Sequence, residues 1–229
     1  MTLPVDDLSK ELPVSGPRLG IVETIPRHGL YRQVFKRLFD IAAVSLSSVV
    51  VLPLVALMAL LVSLDGSNPF YLNDRVGRGG RVFRMLKLRT MVPNADALLE
   101  SYLNSNPEAR LEWNSTQKLK SDPRITRVGW ILRKTSLDEL PQLWNVLTGE
   151  MSIVGPRPMM PSQRAIYSGT AYYYLRPGLT GPWQISDRNE GEFSRRVEFD
   201  RVYDRELSFS NDLRIIVATV GVVIRGTGY

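Results

Sequence analysis

Residues 41–64, IAAVSLSSVVVLPLVALMALLVSL, contain no charged side chain. A helix of that length reaches roughly 36 Å at 1.5 Å per residue, more than the ~30 Å hydrocarbon core of a bilayer. A helix on the surface of a soluble domain needs a polar face, and this run has none, so it ties the chain to a membrane. Pro53 falls in mid-run, where it removes the hydrogen bond to the Val49 carbonyl and bends the helix. Ser47 and Ser48, about one turn earlier, are placed to help satisfy the freed backbone. Both flanks are basic: Arg27, Arg32, Lys36 and Arg37 precede the run, and Arg75, Arg78, Arg81, Arg84, Lys87 and Arg89 follow it. The positive-inside rule assigns both flanks to the cytoplasm. A simple span satisfies only one of them, so the expectation is a re-entrant helix that bends at Pro53 and returns. A kinked transmembrane helix is the alternative.

Composition narrows the chemistry. The 229 residues suffice for one sizeable domain with an appended segment, and 29 basic against 23 acidic side chains give +6, which favours anionic partners. There is no cysteine, hence no disulfide, thiolate nucleophile or zinc ribbon. The single histidine, His28, lies in a proline-rich stretch, leaving no credible residues for a Ser-His-Asp triad or a His-ligated zinc. If a metal is used, carboxylates must hold it, which points to Mg²⁺ or Mn²⁺. Residues 1–30, with Pro4, Pro13, Pro17 and Pro26 among scattered charges, are expected to form a disordered tail. Asp6, Asp7 and Glu11 occupy the region that a signal peptide would make basic.

After the apolar run, residues 70–91 predict a β-hairpin turning at Gly77–Gly80, with Lys87 and Arg89 alternating onto one face and Leu86 and Leu88 onto the other. A paired Lys/Arg face can hold phosphate, although such faces are commonly just solvated. Residues 92–120 form a polar helical segment broken by Pro107, with Trp113 as an anchor. Val128, Ile131 and Leu132 predict a short helix ending near Arg133; Leu140, Leu143, Trp144 and Leu147 recur at helical spacing beyond it.

Between those helices lies RKTSLDELPQLWNVLTGEMSIVGPRP (133–158). An acidic pair, Asp138-Glu139, stands between Arg133 and Lys134 on one side and the proline-flanked Arg157 on the other. Carboxylates that hold a metal or attack, beside guanidinium forks that grip oxygens, suit phosphate chemistry. A structural reading stands beside it: Ser136-x-x-Glu139 ahead of an apolar run is a capping box, and Gly149 a natural helix stop. Either way the pair sits near a helix N-terminus, where the backbone dipole favours anions. Prolines 156 and 158 restrict where Arg157 points, an unusual constraint for a mere surface arginine. A second rigid loop, RPGLTGPWQISDRN (176–189), gathers Arg176, Trp183, Gln184, Asp187, Arg188 and Asn189. Arg195, Arg196 and Arg201 follow on a helical stretch. Ile215–Ile224 is apolar but too short to span, so it is a core or interface-lying helix.

KRLFD, the proline-bearing apolar helix, KLRTM, SLDELPQLWNVL, GEMSIVGPRP and RPGLTG-WQ occur in that order across residues 36–184. This arrangement resembles the bacterial sugar transferase family, the monotopic polyprenyl-phosphate phosphoglycosyl transferases, and most of all the exopolysaccharide galactosyl-1-phosphate transferases. The resemblance implies an α+β fold: a helix-rich cytosolic catalytic domain (67–229) with a small β-hairpin or sheet, preceded by a basic entry and Pro-bent re-entrant membrane helix (31–66). It implies transfer of a sugar-1-phosphate from a UDP-sugar to undecaprenyl phosphate, with release of UMP, at the cytoplasmic face of the bacterial inner membrane. By the same resemblance Asp138 is the nucleophile, Glu139 with Asp138 the Mg²⁺ ligand, Arg133 and Arg157 the phosphate grips, and Lys87, Arg89 and Arg176 further binding candidates. Galactose is the first choice of sugar and glucose the second; direct attack by the lipid phosphate is the alternative mechanism. A non-catalytic lipid-binding protein is the alternative of another class. Nucleic acid is not an expected partner, since no recognition motif is present, and homo-oligomerisation is left open. Leu52 stands where the family often has a serine before the proline, and GPWQISDRN departs from the usual loop, leaving the sugar undetermined.

Overall fold

A computed structural model describes residues 29–116, 119–186 and 193–224. Nearly all of the expected tail, with His28, lies outside the described residues, as do Asp187, Arg188 and Asn189. One π-helical turn, Tyr31–Phe35, feeds α1 (Lys36–Val62). The helix continues through Pro53 instead of ending there. Ser47 and Ser48 do not serve the Val49 carbonyl as anticipated: their hydroxyls donate to the carbonyls of Val44 (3.1 Å) and Ser45 (2.7 Å), one turn further back. A hydroxyl on a helix reaches only the preceding turn of its own strand of carbonyls, so a serine N-terminal to the proline cannot fill the gap.

An antiparallel hairpin of β1 (Phe70–Val76) and β2 (Val82–Leu88) follows, turned by Gly79 and Gly80 with φ of 69° and 77°, values that favour glycine. The register pairs Tyr71 with Lys87 and Arg75 with Phe83, so Arg75, Phe83, Met85 and Lys87 share one face. Phe83 and Met85 pack there with Val44 of α1 and with Val146 and Met151. On the opposite face Leu88 packs with Val62 and Leu132. Both faces of β2 are therefore covered, and α1 touches each of them near one of its ends.

Pro107 divides the polar segment into α2 (Ala95–Ser105) and α3 (Pro107–Thr116), as its missing N–H suits a first helical position. Trp113 lies beneath the Arg124 guanidinium, 5.3 Å from its ring centre. Then come α4 (Arg127–Thr135), α5 (Gln142–Thr148), β3 (Ser152–Val154), α6 (Ala171–Tyr174), β4 (Gly178–Thr180), α7 (Pro182–Ser186), α8 (Arg196–Glu206) and α9 (Phe209–Ile224). Strands β3 and β4 pair in parallel, Ser152 with Gly178 and Val154 with Thr180. The Gly/Pro-rich composition of RPGLTG reads as a turn, yet its glycines are what permit this pairing: a Cβ on Gly155 or Gly178 would run into the opposing backbone. The result is the expected α+β class, helix-rich with very little sheet.

The N-terminal end of α1 is fastened by charge. Asp212 of α9, wholly buried, accepts from Lys36 (2.7 Å), Tyr31 (2.7 Å) and Tyr203 (2.6 Å). Arg37 donates to the Val146 and Leu147 carbonyls at the C-terminal end of α5, where the helix dipole favours a cation. Asp40 accepts the Ile153 amide, 3.0 Å. At the other end Arg89 grips both carboxylate oxygens of Asp65 at 2.7 Å and also reaches the Val62 carbonyl. Between these anchors Leu46, Val49, Val50, Leu52, Leu57 and Leu60 are exposed. Residues Tyr31–Asp65 form a helix long and apolar enough to cross a membrane, by length and composition.

Lys36→Met would leave the Asp212 carboxylate buried without its cation. Breaking such a pair costs about 3 kcal/mol, so thermal unfolding in detergent is expected to fall by roughly 6–12 °C. Lys36→Arg, which keeps the charge, is expected to fall much less.

Candidate active site

The acidic pair owes its place to a sharp reversal after α4. Thr126 starts that helix, its hydroxyl accepting from the Gly129 amide at 2.9 Å. Ser136 ends it in the left-handed region, φ 57°, and the chain turns through a single 3₁₀ turn, Leu137–Glu139, before α5 begins at Gln142. The capping-box reading is thus overturned: Ser136 closes the preceding helix, and it makes no side-chain cap bond to the turn that follows. The 3₁₀ turn Leu137–Glu139 intervenes, so α5, which starts at Gln142, lies beyond the reach of Ser136. Gly149 does end α5, with φ 89° and its amide donating to the Val146 carbonyl.

Leu137 packs into the apolar cluster of Val62, Leu88 and Leu132, and that contact turns its neighbour Asp138 toward β2. From the other side Asn145 of α5 stitches the helix to the same strand. Its amide oxygen accepts the Leu86 N–H (3.0 Å), and its nitrogen donates to the Arg84 carbonyl (2.9 Å). Lys87 therefore faces the pair: its ammonium lies 2.7 Å from Glu139 Oε1 and 3.8 Å from Asp138 Oδ2. Asp138 is only 9 % exposed. Burial pushes its carboxyl above the ordinary value, Lys87 pulls it back, Glu139 pushes it up again and Arg133 pulls it down. Asp138 is thus a desolvated carboxylate that its nearest cation touches only loosely, whereas Glu139 is firmly paired.

A cleft of ≈ 400 Å³ opens over Lys87 and Glu139. Three guanidiniums line it, from Arg75 of β1, Arg157 of the Pro-Arg-Pro turn and Arg196 of α8. They lie close enough to disfavour one another's charge. Burial lowers the Arg75 pKa, with Arg157 contributing, and lowers that of Arg196 to about 10, again with Arg157 contributing. Gln142, Gln163, Trp183 and Phe193 complete the wall, Arg196 lying 4.7 Å from the Phe193 ring centre and 5.4 Å from that of Trp183. Behind Arg196, Asp200 is buried and accepts from Tyr167 at 2.7 Å. Burial raises its pKa to about 7 against the opposing pull of Tyr167 and Arg196.

Of the sequence candidates, Glu139, Lys87 and Arg157 line the cleft, and Asp138, outside the lining itself, adjoins it through Lys87. Arg89, one residue past the end of β2, does not reach the cleft, because its guanidinium is engaged with Asp65 and the carbonyls of Val62, Asn68 and Met91. Arg176 is likewise outside the cleft lining and donates to the Gly149 carbonyl at 2.9 Å. Arg133 stands outside the lining too, next to Asp138, with its Nε bonded to the Thr90 hydroxyl at 2.8 Å. Lys134 lies over the Trp130 ring at 4.9 Å. Sequence reasoning missed Arg75, although the alternation that picks out Lys87 also places Arg75 on that face once the hairpin register is known. It grouped Arg196 with Arg195 and Arg201 without distinguishing it, since nothing local tells which arginine of a helix turns inward.

Among the described residues no three of His, Cys, Asp or Glu converge as a metal cage. The donors present still suit Mg²⁺, which is commonly bound by one or two carboxylates with water and substrate phosphate oxygens making up the rest. Asp138 and Glu139 would supply that pair. Lys87 would have to yield its 2.7 Å contact.

A buried carboxyl with a raised pKa makes the fold less stable once it ionises: its contribution is full below the unfolded value and is lost as pH rises through the folded one. For Asp200 that window runs from the ordinary carboxylate range up to about 7. Asp200→Asn is therefore expected to unfold at a higher temperature relative to the parent at pH 8 than at pH 5. An unchanged gap would contradict the burial cost.

The family model described as bacterial sugar transferase matches residues 31–226. The chain is 48 % identical over 195 residues to a UDP-galactose-lipid carrier transferase of Erwinia amylovora, an overlap covering 84 % of this chain and 41 % of that protein. To the exopolysaccharide production protein ExoY of Rhizobium meliloti it is 46 % identical over 196 residues, 84 % of this chain and 87 % of that one. A UDP-glucose:undecaprenyl-phosphate glucose-1-phosphate transferase of Caulobacter vibrioides is 38 % identical over 196 residues, with coverage of 81 % and 68 %. The chain thus spans less than half of the Erwinia protein and most of the Rhizobium one.

Proposed function

The chain belongs to the bacterial sugar transferase family, and from that premise we propose that it moves a sugar-1-phosphate from a UDP-sugar to undecaprenyl phosphate, releasing UMP, as the first membrane step of exopolysaccharide assembly. The observation that carries this reading is a desolvated, loosely paired Asp138 beside Lys87 and Glu139, the two residues through which it borders a cleft also lined by Arg75, Arg157 and Arg196. That arrangement is an attacking anion set against a receptacle for a diphosphate. Guanidinium forks bind phosphate oxygens in bidentate fashion and keep their charge despite burial.

In the proposed reaction an Asp138 carboxylate oxygen forms a bond to the sugar-bearing phosphorus as the bond to UMP breaks. UMP leaves with the electron pair. A phosphate oxygen of the lipid then attacks the same phosphorus, and the Asp138 carboxylate is released unchanged. Two successive displacements let a water-soluble donor and a lipid acceptor use one phosphate site in turn. Arg75, Arg157 and Arg196 hold the diphosphate charge, and Lys87 opposes the upward push that burial exerts on the Asp138 carboxyl. Mg²⁺, held by Asp138 and Glu139, would supply neutralisation of the charge on the transferred group. UDP-galactose is the favoured donor, from the names of the more similar relatives, with UDP-glucose next.

For the membrane, we read α1 as a re-entrant helix on the cytoplasmic side. Both its ends are fastened to the domain that carries the cleft, by Asp212 at one end and Arg89 at the other, and its exposed stretch between them is apolar. A helix crossing straight through would carry one of those ends away.

Protein reconstituted in nanodiscs is expected to release UMP from one of a panel of UDP-hexoses, only with polyprenyl phosphate and a divalent metal present for turnover. Without the lipid, radiolabelled sugar phosphate should remain on the protein. Asp138→Asn should lower turnover on the order of 10³-fold or more and abolish the label. No UMP from any donor would overturn the activity, and turnover without a trapped label would favour direct attack by the lipid.

A further inference from the structure

Thr90 follows Arg89 in the KLRTM segment, and its 7 % exposure is low for a polar residue that heads no helix and belongs to no strand. Its backbone is wedged. The Thr90 carbonyl accepts the Thr126 amide at 3.1 Å, and Gly129 of α4 lies so close against that carbonyl that a Cβ there would strike it. On the other side Arg89 is clamped to Asp65 and Val62 at the end of α1. Threonine rotamers are few, so with its backbone held on both sides the Thr90 hydroxyl is a fixed hook. What hangs on it is Arg133, whose Nε donates to Thr90 Oγ1 at 2.8 Å.

This bond uses the inner nitrogen of the guanidinium. The two terminal nitrogens make no hydrogen bond among the described residues, although Asp138, Asp122 and Arg124 are near enough to act on the group electrostatically. Asp122 is committed to Arg124 through contacts of 2.6 and 2.9 Å, which leaves Asp138 as the carboxylate toward which the open edge is drawn. An arginine outside the cleft lining, tethered by Nε and free at its fork, is oriented but not neutralised.

We propose that Thr90 is a positioning residue: its hydroxyl holds Arg133 so that the open fork of the guanidinium serves the Asp138 carboxylate and the phosphoryl group that forms on it. KLRTM then has three separate tasks, with Lys87 on the acidic pair, Arg89 on the end of the membrane helix and Thr90 on Arg133. The inference rests on the proposed transfer reaction, so release of UMP by the parent protein is the control. If the parent shows none, that reading fails before this one is tested.

With the parent active, Thr90→Val keeps the branched shape and removes the hydroxyl. It is expected to lower kcat about 10- to 100-fold, with the donor KM within about 3-fold, since a displaced group beside the reacting atom affects the step more than the binding. Thr90→Ser, which restores the hydroxyl, should recover most of the rate. In an Arg133→Gln background, Thr90→Val should cost no more than about 2-fold, because the two changes remove one interaction. Rates are to be normalised to the folded fraction from thermal unfolding, and Thr90→Ala replaces the valine variant should that fail to fold. A Thr90→Val rate within about 3-fold of the parent, a penalty of full size in the Arg133→Gln background, or failure of serine to rescue would each overturn the proposal.

Discussion

One ammonium group facing two carboxylates sets the terms for the rest of this molecule. Lys87 lies 2.7 Å from Glu139 and 3.8 Å from Asp138, and without it two adjacent carboxylates, one of them buried, would repel each other with little water to screen them. To put that one side chain there, β2 must be held in register and covered on both faces. The hairpin register does the first, with Phe83 and Met85 filling the core below Lys87 on its own face. Leu88 and the Asn145 amide do the second, tying the strand to α4 and α5 so that the turn between those helices meets the lysine.

The membrane helix enters the same scheme through neighbouring residues. Val44 of α1 belongs to the cluster of Phe83 and Met85, and Val62 to that of Leu88, so the helix contributes to the apolar packing on both faces of the strand that carries Lys87. Polar anchors fix where it sits: the buried Asp212 cluster, the bond from the Ile153 amide to buried Asp40, and, at the surface, the two-pronged Arg89–Asp65 pair. Buried charges are expensive to desolvate and add little net stability even when paired, but they tolerate only one geometry. In the proposed reaction, which brings a lipid-borne phosphate to a carboxylate, fixed geometry between the apolar helix and the cleft is the property that matters.

Much of the site is legible in the chain. Asp138, Glu139, Lys87 and Arg157 are conspicuous through local rules: an acidic pair among arginines, an alternating strand, an arginine between prolines. Arg89, by contrast, has the same charge and apparent phase as Lys87, and only the end of β2 one residue earlier releases it to the membrane helix. Arg75 and Arg196 are invisible locally because their partners in the cleft lie far away along the chain. The Ser136–Glu139 pattern misleads for a related reason. A capping box is defined by spacing alone, whereas here Ser136 adopts the left-handed conformation next to Leu137, which packs into a cluster of residues distant in the chain.

By itself the sequence determined matters of composition and local pattern: a charge-free helix long enough to cross a membrane, an inventory with no cysteine and a single histidine, the hairpin, and an acidic pair set among arginines. These are matters of transfer free energy, side-chain inventory and local backbone preference, which act over a few residues and need no fold. Only the tertiary structure decided which of the many arginines face the cleft, that RPGLTG pairs as a strand with SIV, and that Thr90 and Arg89 divide the work of a five-residue motif. Those outcomes depend on contacts between residues far apart in the chain. A long side chain carries the same charge wherever it points, so its direction is settled by what packs around it.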